Sequence, residues 1–169
     1  MKLAIETHGA GQPLVLIHGM GSAATAWQPI IPTLAKQFSV VTIDLPGHGR
    51  TPYSPIQKMD PASLAQLVVK NLKTIGVERF HLVGNSLGGW VALEIAALNQ
   101  TAVKSVTALA PAGLWLTPFT SRYPGELALR VMAGGVEKLA PSLLNYTWAK
   151  KIGFETVSPR WKELSYEIC

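Results

Sequence analysis

Apolar residues in this chain occur in short runs that alternate with stretches of helical periodicity. Four runs, each bounded by turn-forming residues, predict strands at residues 14–17, 39–43, 80–83 and 103–109. The first run is apolar throughout, and we read the last as another buried strand, a pattern typical of strands that helices cover on both faces. An earlier stretch around Leu3 and Ile5 predicts an N-terminal strand, with His8 in a tight hairpin connection to the next strand.

Helical spacing fills the intervals between these runs. Apolar residues recur from Trp27 to Phe38, although Pro29 and Pro32 are tolerable only near a first helical turn. A second helix is predicted to start at Pro61, with Asp60 as its N-cap and Gly76 as its stop, and a third covers residues 90–98. Strands interleaved with helices predict an α/β fold with a mostly parallel, doubly wound sheet and right-handed crossovers.

The pattern changes after residue 113. Short helical stretches follow, interrupted by Gly134-Gly135 and Pro141, and no further strand pattern appears. The sequence therefore predicts two domains: an α/β core at residues 1–113 and a partial helical cap or lid at residues 114–169.

Composition narrows the functional classes. The 169 residues are 48% apolar and 15% charged, as in ordinary globular proteins, and the net charge of +5 comes from scattered Lys and Arg, which predicts no nucleic-acid binding. No run has the length of a signal peptide or membrane span, and the single cysteine, Cys169, fits a reducing compartment, so we expect a cytoplasmic protein without membrane association. Metal-ligand spacings are absent from the sequence, and we expect no metal and no cofactor.

The most informative motif is Gly84-Asn85-Ser86-Leu87-Gly88-Gly89, which joins a predicted strand to a predicted helix. Such a turn holds its central serine in a strained conformation and exposes the hydroxyl, and glycines remove side chains that would otherwise collide. This arrangement is typical of a nucleophile elbow. The N-terminus of the following helix also favours an anion next to Ser86.

Two further motifs follow predicted strands, His18-Gly19-Met20-Gly21 and the loop at residues 44–49. With the elbow, they resemble the serine-nucleophile branch of the α/β-hydrolase family in order and spacing. The resemblance implies that Ser86 is the catalytic nucleophile and that the backbone N–H groups of Met20 and Leu87 form the oxyanion hole. It also implies a small-molecule acyl substrate, with hydrolysis of carboxylic esters through an acyl-enzyme as the commonest reaction.

The other members of a catalytic triad have no counterpart. In this family the order is serine, then acid, then histidine, but the four histidines all precede Ser86, and no acid after it follows a recognisable strand. We expect His18 to brace the oxyanion loop, His48 to occupy a turn, and His81 to pack beside the sheet. We also expect that the chain stops before the strands that carry the acid and the histidine, that it is inactive alone, and that residues 103–109 form an uncovered edge.

Two alternatives remain at this stage. Residues 19–24 fit GxGxxA after a strand and Asp44 ends the next strand, as in a Rossmann-type oxidoreductase that binds NAD(P). A non-catalytic binding protein on a hydrolase scaffold would account for the missing histidine.

Overall fold

The computed structural model describes residues 1–114, 146–148 and 151. The chain divides into two compact units, Met1–Leu114 and Trp115–Cys169. All the elements described below belong to the first unit. Most of the segment predicted as a helical cap lies outside the described residues, so that domain assignment stays a prediction.

A five-stranded, mostly parallel sheet forms the centre of the first unit. Its strands are β1 (Ala4–His8), β2 (Gln12–Ile17), β3 (Phe38–Asp44), β4 (Phe80–Asn85) and β5 (Val103–Leu109). They lie side by side in the order β1-β3-β2-β4-β5. The pairings of β2 with β3, β2 with β4 and β4 with β5 are parallel, and β1 pairs antiparallel with β3. The predicted α/β fold class is confirmed.

The predicted hairpin between the first two strands is wrong. β3 lies between β1 and β2, and His8 faces Val40 of β3 in the register. A Cβ at Gly9 would overlap the carbonyl oxygens of Ala35 and Phe38, so the connection from β1 passes over the start of β3. Because β1 is only partly buried, it suits an antiparallel edge position.

The predicted helix from Trp27 to Phe38 is also wrong. The chain instead forms a 3-10 helix, Ala24–Trp27, and a four-residue helix α1, Ile31–Leu34. Pro29 and Pro32 lack the N–H that a continuous helix requires, and Pro32 is accommodated only in the first turn of α1.

The second predicted helix has the expected boundaries. Helix α2 spans Pro61–Thr74, and the Asp60 side chain accepts a 2.9 Å hydrogen bond from the Ser63 N–H. Gly76 follows with a φ of +75°, which a residue with a Cβ adopts only at a cost. Helix α3 spans Leu87–Leu98 and so begins earlier than the apolar pattern indicated.

Helices cover both faces of the sheet, which is why residues 14–17 of β2 are all apolar and buried. Val15 and Ile17 pack in the cluster that contains the buried residues of α2 and α3. Leu14 and Leu16 point to the opposite face, where they pack with Trp27, Val40 and the apolar residues of α1. The sheet is therefore doubly wound, as predicted.

β5 departs from the expectation of a buried strand and agrees with that of an uncovered edge, within the described sheet. It is the edge of the described sheet, four of its seven residues are exposed, and Leu109 is 43% exposed. Within the described residues, no helix is long and apolar enough to cross a lipid bilayer.

Candidate active site

Two loops meet at the carboxyl end of the sheet where the strand order reverses. The chain runs from β2 to β3 on one side of β2 and then crosses to β4 on the other side, so the direction in which strands are added reverses at β2. In open α/β sheets this switch point is where ligands bind. The loop from His18 to Gly21 follows β2, and Ser86 follows β4 directly.

The backbone of Ser86 is strained and firmly held. Its φ of 51° and ψ of −113° lie outside the regions that ordinary L-residues prefer. Its N–H donates to the Leu109 carbonyl at 2.9 Å, and its own carbonyl accepts from the N–H groups of Trp90, at 3.1 Å, and Ala112, at 3.0 Å. Such strain persists only where the surroundings enforce it, and it is concentrated at functional sites.

Two glycines allow the elbow to pack this tightly. A Cβ at Gly84 would overlap the carbonyl oxygen of Gly88, and a Cβ at Gly88 would overlap the carbonyl oxygens of Ile17 and His18. The first residues of α3 therefore lie directly against the end of β2. This close approach confirms the reason predicted for glycine at positions 84 and 88.

The Ser86 side chain occupies the N-cap position of α3 but makes no capping hydrogen bond. Serine at this position normally accepts a bond from an N–H in the first turn. Within the described residues, the Ser86 hydroxyl has no hydrogen-bond partner of any kind, and the residue is half-buried. The hydroxyl is consequently available for other chemistry.

The two predicted oxyanion donors lie in the two segments that meet here. Leu87 is the first residue of α3, and Met20 lies in the loop after β2. That loop approaches the elbow closely, since a Cβ at Gly19 would be 3.3 Å from the Ser86 Cβ. Neither the Met20 N–H nor the Leu87 N–H donates a hydrogen bond to any other described residue.

His18 is buried and neutral. It is 1% exposed, its Nε2 accepts from the Leu45 N–H at 3.0 Å, and its Nδ1 donates to the Gly19 carbonyl at 2.7 Å. Burial lowers the pKa of the His18 imidazole, an effect that the bond to Gly19 opposes. The side chain ties the loop after β2 to the loop after β3, and these contacts fit the bracing role predicted for it.

His48 forms a second link between the same two loops. Its Nε2 accepts from the Gly21 N–H at 3.1 Å, and its Nδ1 donates to the Pro46 carbonyl at 2.9 Å. Its ring centroid lies 5.1 Å from that of His18. The sequence indicated a turn position but missed this contact, because no local pattern shows which residue 27 positions away an imidazole will reach.

Asp44 is a buried carboxylate to which the resemblance to hydrolases assigns no role. It is 3% exposed and accepts from the N–H groups of Ala24, at 2.7 Å, and Arg50, at 3.1 Å. A Rossmann site requires an acidic side chain free for the ribose and a long helix after the glycine loop. Asp44 is already engaged and a 3-10 helix follows β2, so the nucleotide-binding alternative lacks structural support.

The remaining histidines are occupied elsewhere. His81 Nδ1 lies 2.8 Å from the Ser105 hydroxyl, and its Nε2 lies 3.1 Å from Gln12 Oε1, as expected of a side chain bonded beside the sheet. His81 precedes Ser86 by five residues along β4, about 16 Å at the rise of a strand. His8 lies on β1 with its Nε2 3.5 Å from the Glu6 carboxylate. No described histidine is bonded to the Ser86 hydroxyl.

The fold and this site define a class: doubly wound α/β proteins with a serine at a strand-to-helix elbow beside a His-Gly loop. Residues 12–155 match the family described as alpha/beta hydrolase fold. The chain belongs to the α/β-hydrolase fold family.

Individual relatives agree with this assignment. A pimeloyl-[acyl-carrier protein] methyl ester esterase of Aeromonas hydrophila is 34% identical over 83% of this chain and 52% of its own length. A putative carbamate hydrolase of Stutzerimonas stutzeri is 34% identical over 67% of this chain and 43% of its own. A solved hydrolase structure from Pseudomonas aeruginosa superposes with a TM-score of 0.70 at 26% identity, covering 95% of this chain and 61% of that one. The chain thus spans about half the length of the curated relatives it matches.

Proposed function

We propose that Ser86 is the nucleophile of a hydrolase that cleaves carboxylic esters or related acyl compounds through an acyl-enzyme. The observation that carries this proposal is the strained serine at the N-terminus of α3, whose hydroxyl caps nothing in the described part of the chain. A serine with a purely structural role at this position would accept a capping bond. The substrate class is a small acyl compound.

In the proposed reaction, the Ser86 Oγ attacks the carbonyl carbon and a new C–O bond forms. The carbonyl π electrons move to the oxygen, and the N–H groups of Met20 and Leu87 stabilise the resulting negative charge. Each such donor is worth about 3–4 kcal/mol by analogy with measured removals. Collapse of the intermediate expels the alcohol, which takes up the proton from Ser86, and water then releases the acid by the same two steps.

The proton from Ser86 requires a base, and the four histidines of this chain are poor candidates. His18 and His48 each use both ring nitrogens in bonds to the backbone. His81 and His8 lie on strands with other partners. We therefore propose that the base is supplied from outside the described residues. Without it, the oxyanion hole and substrate binding alone would retain about a thousandfold acceleration over water.

The relatives support hydrolysis as the reaction class. One bears the name of a methyl ester esterase and another that of a putative carbamate hydrolase. Both names describe hydrolysis. Since the chain covers only part of each relative, the particular ester is left to experiment.

A fluorophosphonate probe tests the proposal directly. The probe is incubated with residues 1–169 and, if the encoding reading frame is longer, in parallel with the full-length protein, and labelled peptides are identified by mass spectrometry. We expect an adduct on Ser86, loss of labelling in Ser86→Ala, and hydrolysis of p-nitrophenyl acetate that follows the labelling. Ser105→Ala is the matched control, because Ser105 is bonded to a histidine but lies beside no proposed oxyanion donor.

Labelling of the full-length protein but not of residues 1–169 would support a catalytic base that lies outside residues 1–169. Labelling that persists in Ser86→Ala, or a folded full-length protein that neither labels nor hydrolyses esters, would overturn the proposal. The second result would favour a binding protein on a hydrolase scaffold.

A further inference from the structure

The orientation of the Met20 N–H is determined by the peptide to which it belongs. The Gly19 carbonyl and the Met20 N–H are parts of one planar peptide, and in its trans form they point in opposite directions. His18 Nδ1 donates to that carbonyl at 2.7 Å. Holding the carbonyl therefore also holds the N–H, which points away from His18.

The next peptide is held by a different histidine, through its N–H group and not its carbonyl. The Met20 carbonyl and the Gly21 N–H form this second plane, and the Gly21 N–H donates to His48 Nε2 at 3.1 Å. The two peptides that flank the Met20 Cα thus each contact one imidazole. The Met20 side chain is 76% exposed and gives the loop little packing of its own.

Both imidazoles are oriented by the loop after β3. The Leu45 N–H donates to His18 Nε2, and His48 Nδ1 donates to the Pro46 carbonyl. In each ring Nε2 accepts from a backbone N–H and Nδ1 donates to a backbone carbonyl, so both rings have the proton on Nδ1. The residues that orient the proposed oxyanion loop are therefore built into its neighbour.

We propose that His48 is a positioning residue for the reaction of Ser86, and that it keeps the Met20 N–H in place through its bond to the Gly21 N–H. The proposal rests on the function proposed above. His48 touches no reacting atom. It holds the Met20–Gly21 peptide, which is joined to the Gly19–Met20 peptide at the Met20 Cα, and so it restrains the Met20 N–H from the side that His18 does not contact. Its expected effect is on the stabilisation of the oxyanion, and hence on kcat, while KM depends on contacts that it does not make.

A role for His48 as a turn residue alone does not account for these contacts. The turn is closed by backbone bonds: the His48 N–H donates to Leu45, the Gly47 N–H donates to Thr51, and the Thr51 N–H donates to His48. None of these bonds uses the imidazole. A turn residue could therefore be replaced without any change at Gly21.

Two amide substitutions separate the two functions of the ring. In His48→Gln, the side-chain oxygen reaches the position of Nε2 and can accept from the Gly21 N–H. In His48→Asn, the side-chain NH₂ lies near the position of Nδ1 and can donate to the Pro46 carbonyl, but nothing reaches Gly21. Asparagine is the better turn residue, so a turn role and a positioning role predict opposite orders of activity.

The test measures kcat and KM for ester hydrolysis by the full-length protein with histidine, glutamine, asparagine or alanine at position 48. Positioning predicts that His48→Gln retains kcat within about tenfold, whereas His48→Asn and His48→Ala lower kcat by about 10- to 100-fold. This loss is smaller than the loss of about 10²–10³-fold in kcat on removal of a whole donor. KM should change by less than about threefold in all three variants. Equal kcat in all four proteins, or higher kcat with asparagine than with glutamine, overturns the proposal.

Hydrogen exchange of the Gly21 amide gives a readout that needs no activity. We expect protection of this amide in the wild type and in His48→Gln, and its loss in His48→Asn, with thermal midpoints that stay within a few degrees. An unprotected Gly21 amide in the wild type contradicts the hydrogen bond on which the inference rests. Absence of Ser86-dependent turnover in the wild type would instead overturn the proposed function, and the Gly21 exchange would still decide whether His48 holds the loop.

Discussion

The N–H of Ser86 donates a 2.9 Å hydrogen bond to the carbonyl of Leu109, the last residue of β5. The Ser86 carbonyl accepts from Ala112 in the loop that follows the same strand. β5 and its loop thus hold Ser86 from both sides in a conformation that costs about 1–3 kcal/mol. The strain at the elbow is sustained by the neighbouring strand, and a single substitution should reveal it.

Replacing Ser86 by glycine should stabilise the protein while abolishing its chemistry. Glycine tolerates a positive φ, so Ser86→Gly releases the strain, and we expect the free energy of unfolding to rise by about 1 kcal/mol after the added freedom of the unfolded chain is subtracted. Ser86→Ala retains a Cβ and should change stability by less than about 0.5 kcal/mol. Urea denaturation of the three proteins measures both effects. Equal stability of the two variants would mean that the strain at the elbow is no larger than the freedom that glycine adds to the unfolded chain.

Close packing between α3 and β2 predicts a large loss of stability when Gly88 is replaced by a residue with a Cβ. A Cβ there would overlap the carbonyl oxygens of Ile17 and His18, which belong to the backbone and cannot rotate away. We expect Gly88→Ala to cost about 3 kcal/mol, at the upper end of the range for overpacking.

Gly76→Ala is the control for the Gly88 substitution. Gly76 has a φ of +75° but no atom within 4 Å of its Cβ position, so only conformational strain opposes the substitution. We expect a loss of about 1–2 kcal/mol in this case. A milder effect at Gly88 than at Gly76, measured by denaturation, would contradict the packing argument.

The sequence predicted the parts of the fold that local physics determines. Asp60, Pro61 and Gly76 mark the ends of α2 because capping, a fixed φ and a left-handed conformation each require a particular residue type. The elbow was recognisable for the same reason, since Gly84 and Gly88 are required by contacts within a few residues and at the end of β2.

Features that depend on distant partners were not predictable. Nothing in the residues of β1 shows that it pairs with β3 and not with β2, because the choice of partner depends on how the other strands of the sheet are arranged. The role of His48 rests on a bond to Gly21, and that of Asp44 on a bond to Ala24, 20 positions away. Such links exist only once the loops have been brought together.

Two carboxylates beside Arg50 should differ in their contribution to stability. The Asp44 side chain is 4% exposed and accepts bonds from the Ala24 and Arg50 N–H groups, whereas the Glu6 side chain is 45% exposed and pairs with the Arg50 guanidinium at 2.7 Å. Hydrogen bonds to a buried charge contribute about 1.5–3 kcal/mol, but an exposed ion pair contributes about 0–1 kcal/mol.

We therefore expect Asp44→Asn to lower the free energy of unfolding by about 2 kcal/mol, because its NH₂ group meets an N–H donor. Glu6→Gln is the matched control and should cost less than about 1 kcal/mol at moderate salt. Urea denaturation in low and high salt measures both, and only the small Glu6 effect should weaken as salt is added. Equal losses in the two variants would show that burial of Asp44 is unimportant.

The buried His18 makes stability depend on pH in a defined direction. Burial lowers the pKa of His18 in the folded protein below its usual value of 6.5, while the unfolded chain titrates near that value. Between the two pKa values the unfolded state binds more protons, so the free energy of unfolding falls as the pH drops below about 6.5. The stabilisation is complete above the unfolded pKa and is lost towards the folded one, by at most about 1.4 kcal/mol per pH unit.

His18→Asn isolates this contribution, because its NH₂ group can still donate to the Gly19 carbonyl and it does not titrate. The charged or titratable groups closest to His18 are His48 and Asp44, and both remain in the variant. We expect the variant to be less stable at pH 7.5, since the Leu45 N–H loses its acceptor, but to lose less stability between pH 7.5 and 5.5 than the wild type. The expected difference arises because burial between the two loops disfavours the charged form of the His18 imidazole. If urea unfolding gave parallel pH profiles for the two proteins, His18 would not be the group responsible for the loss of stability at low pH.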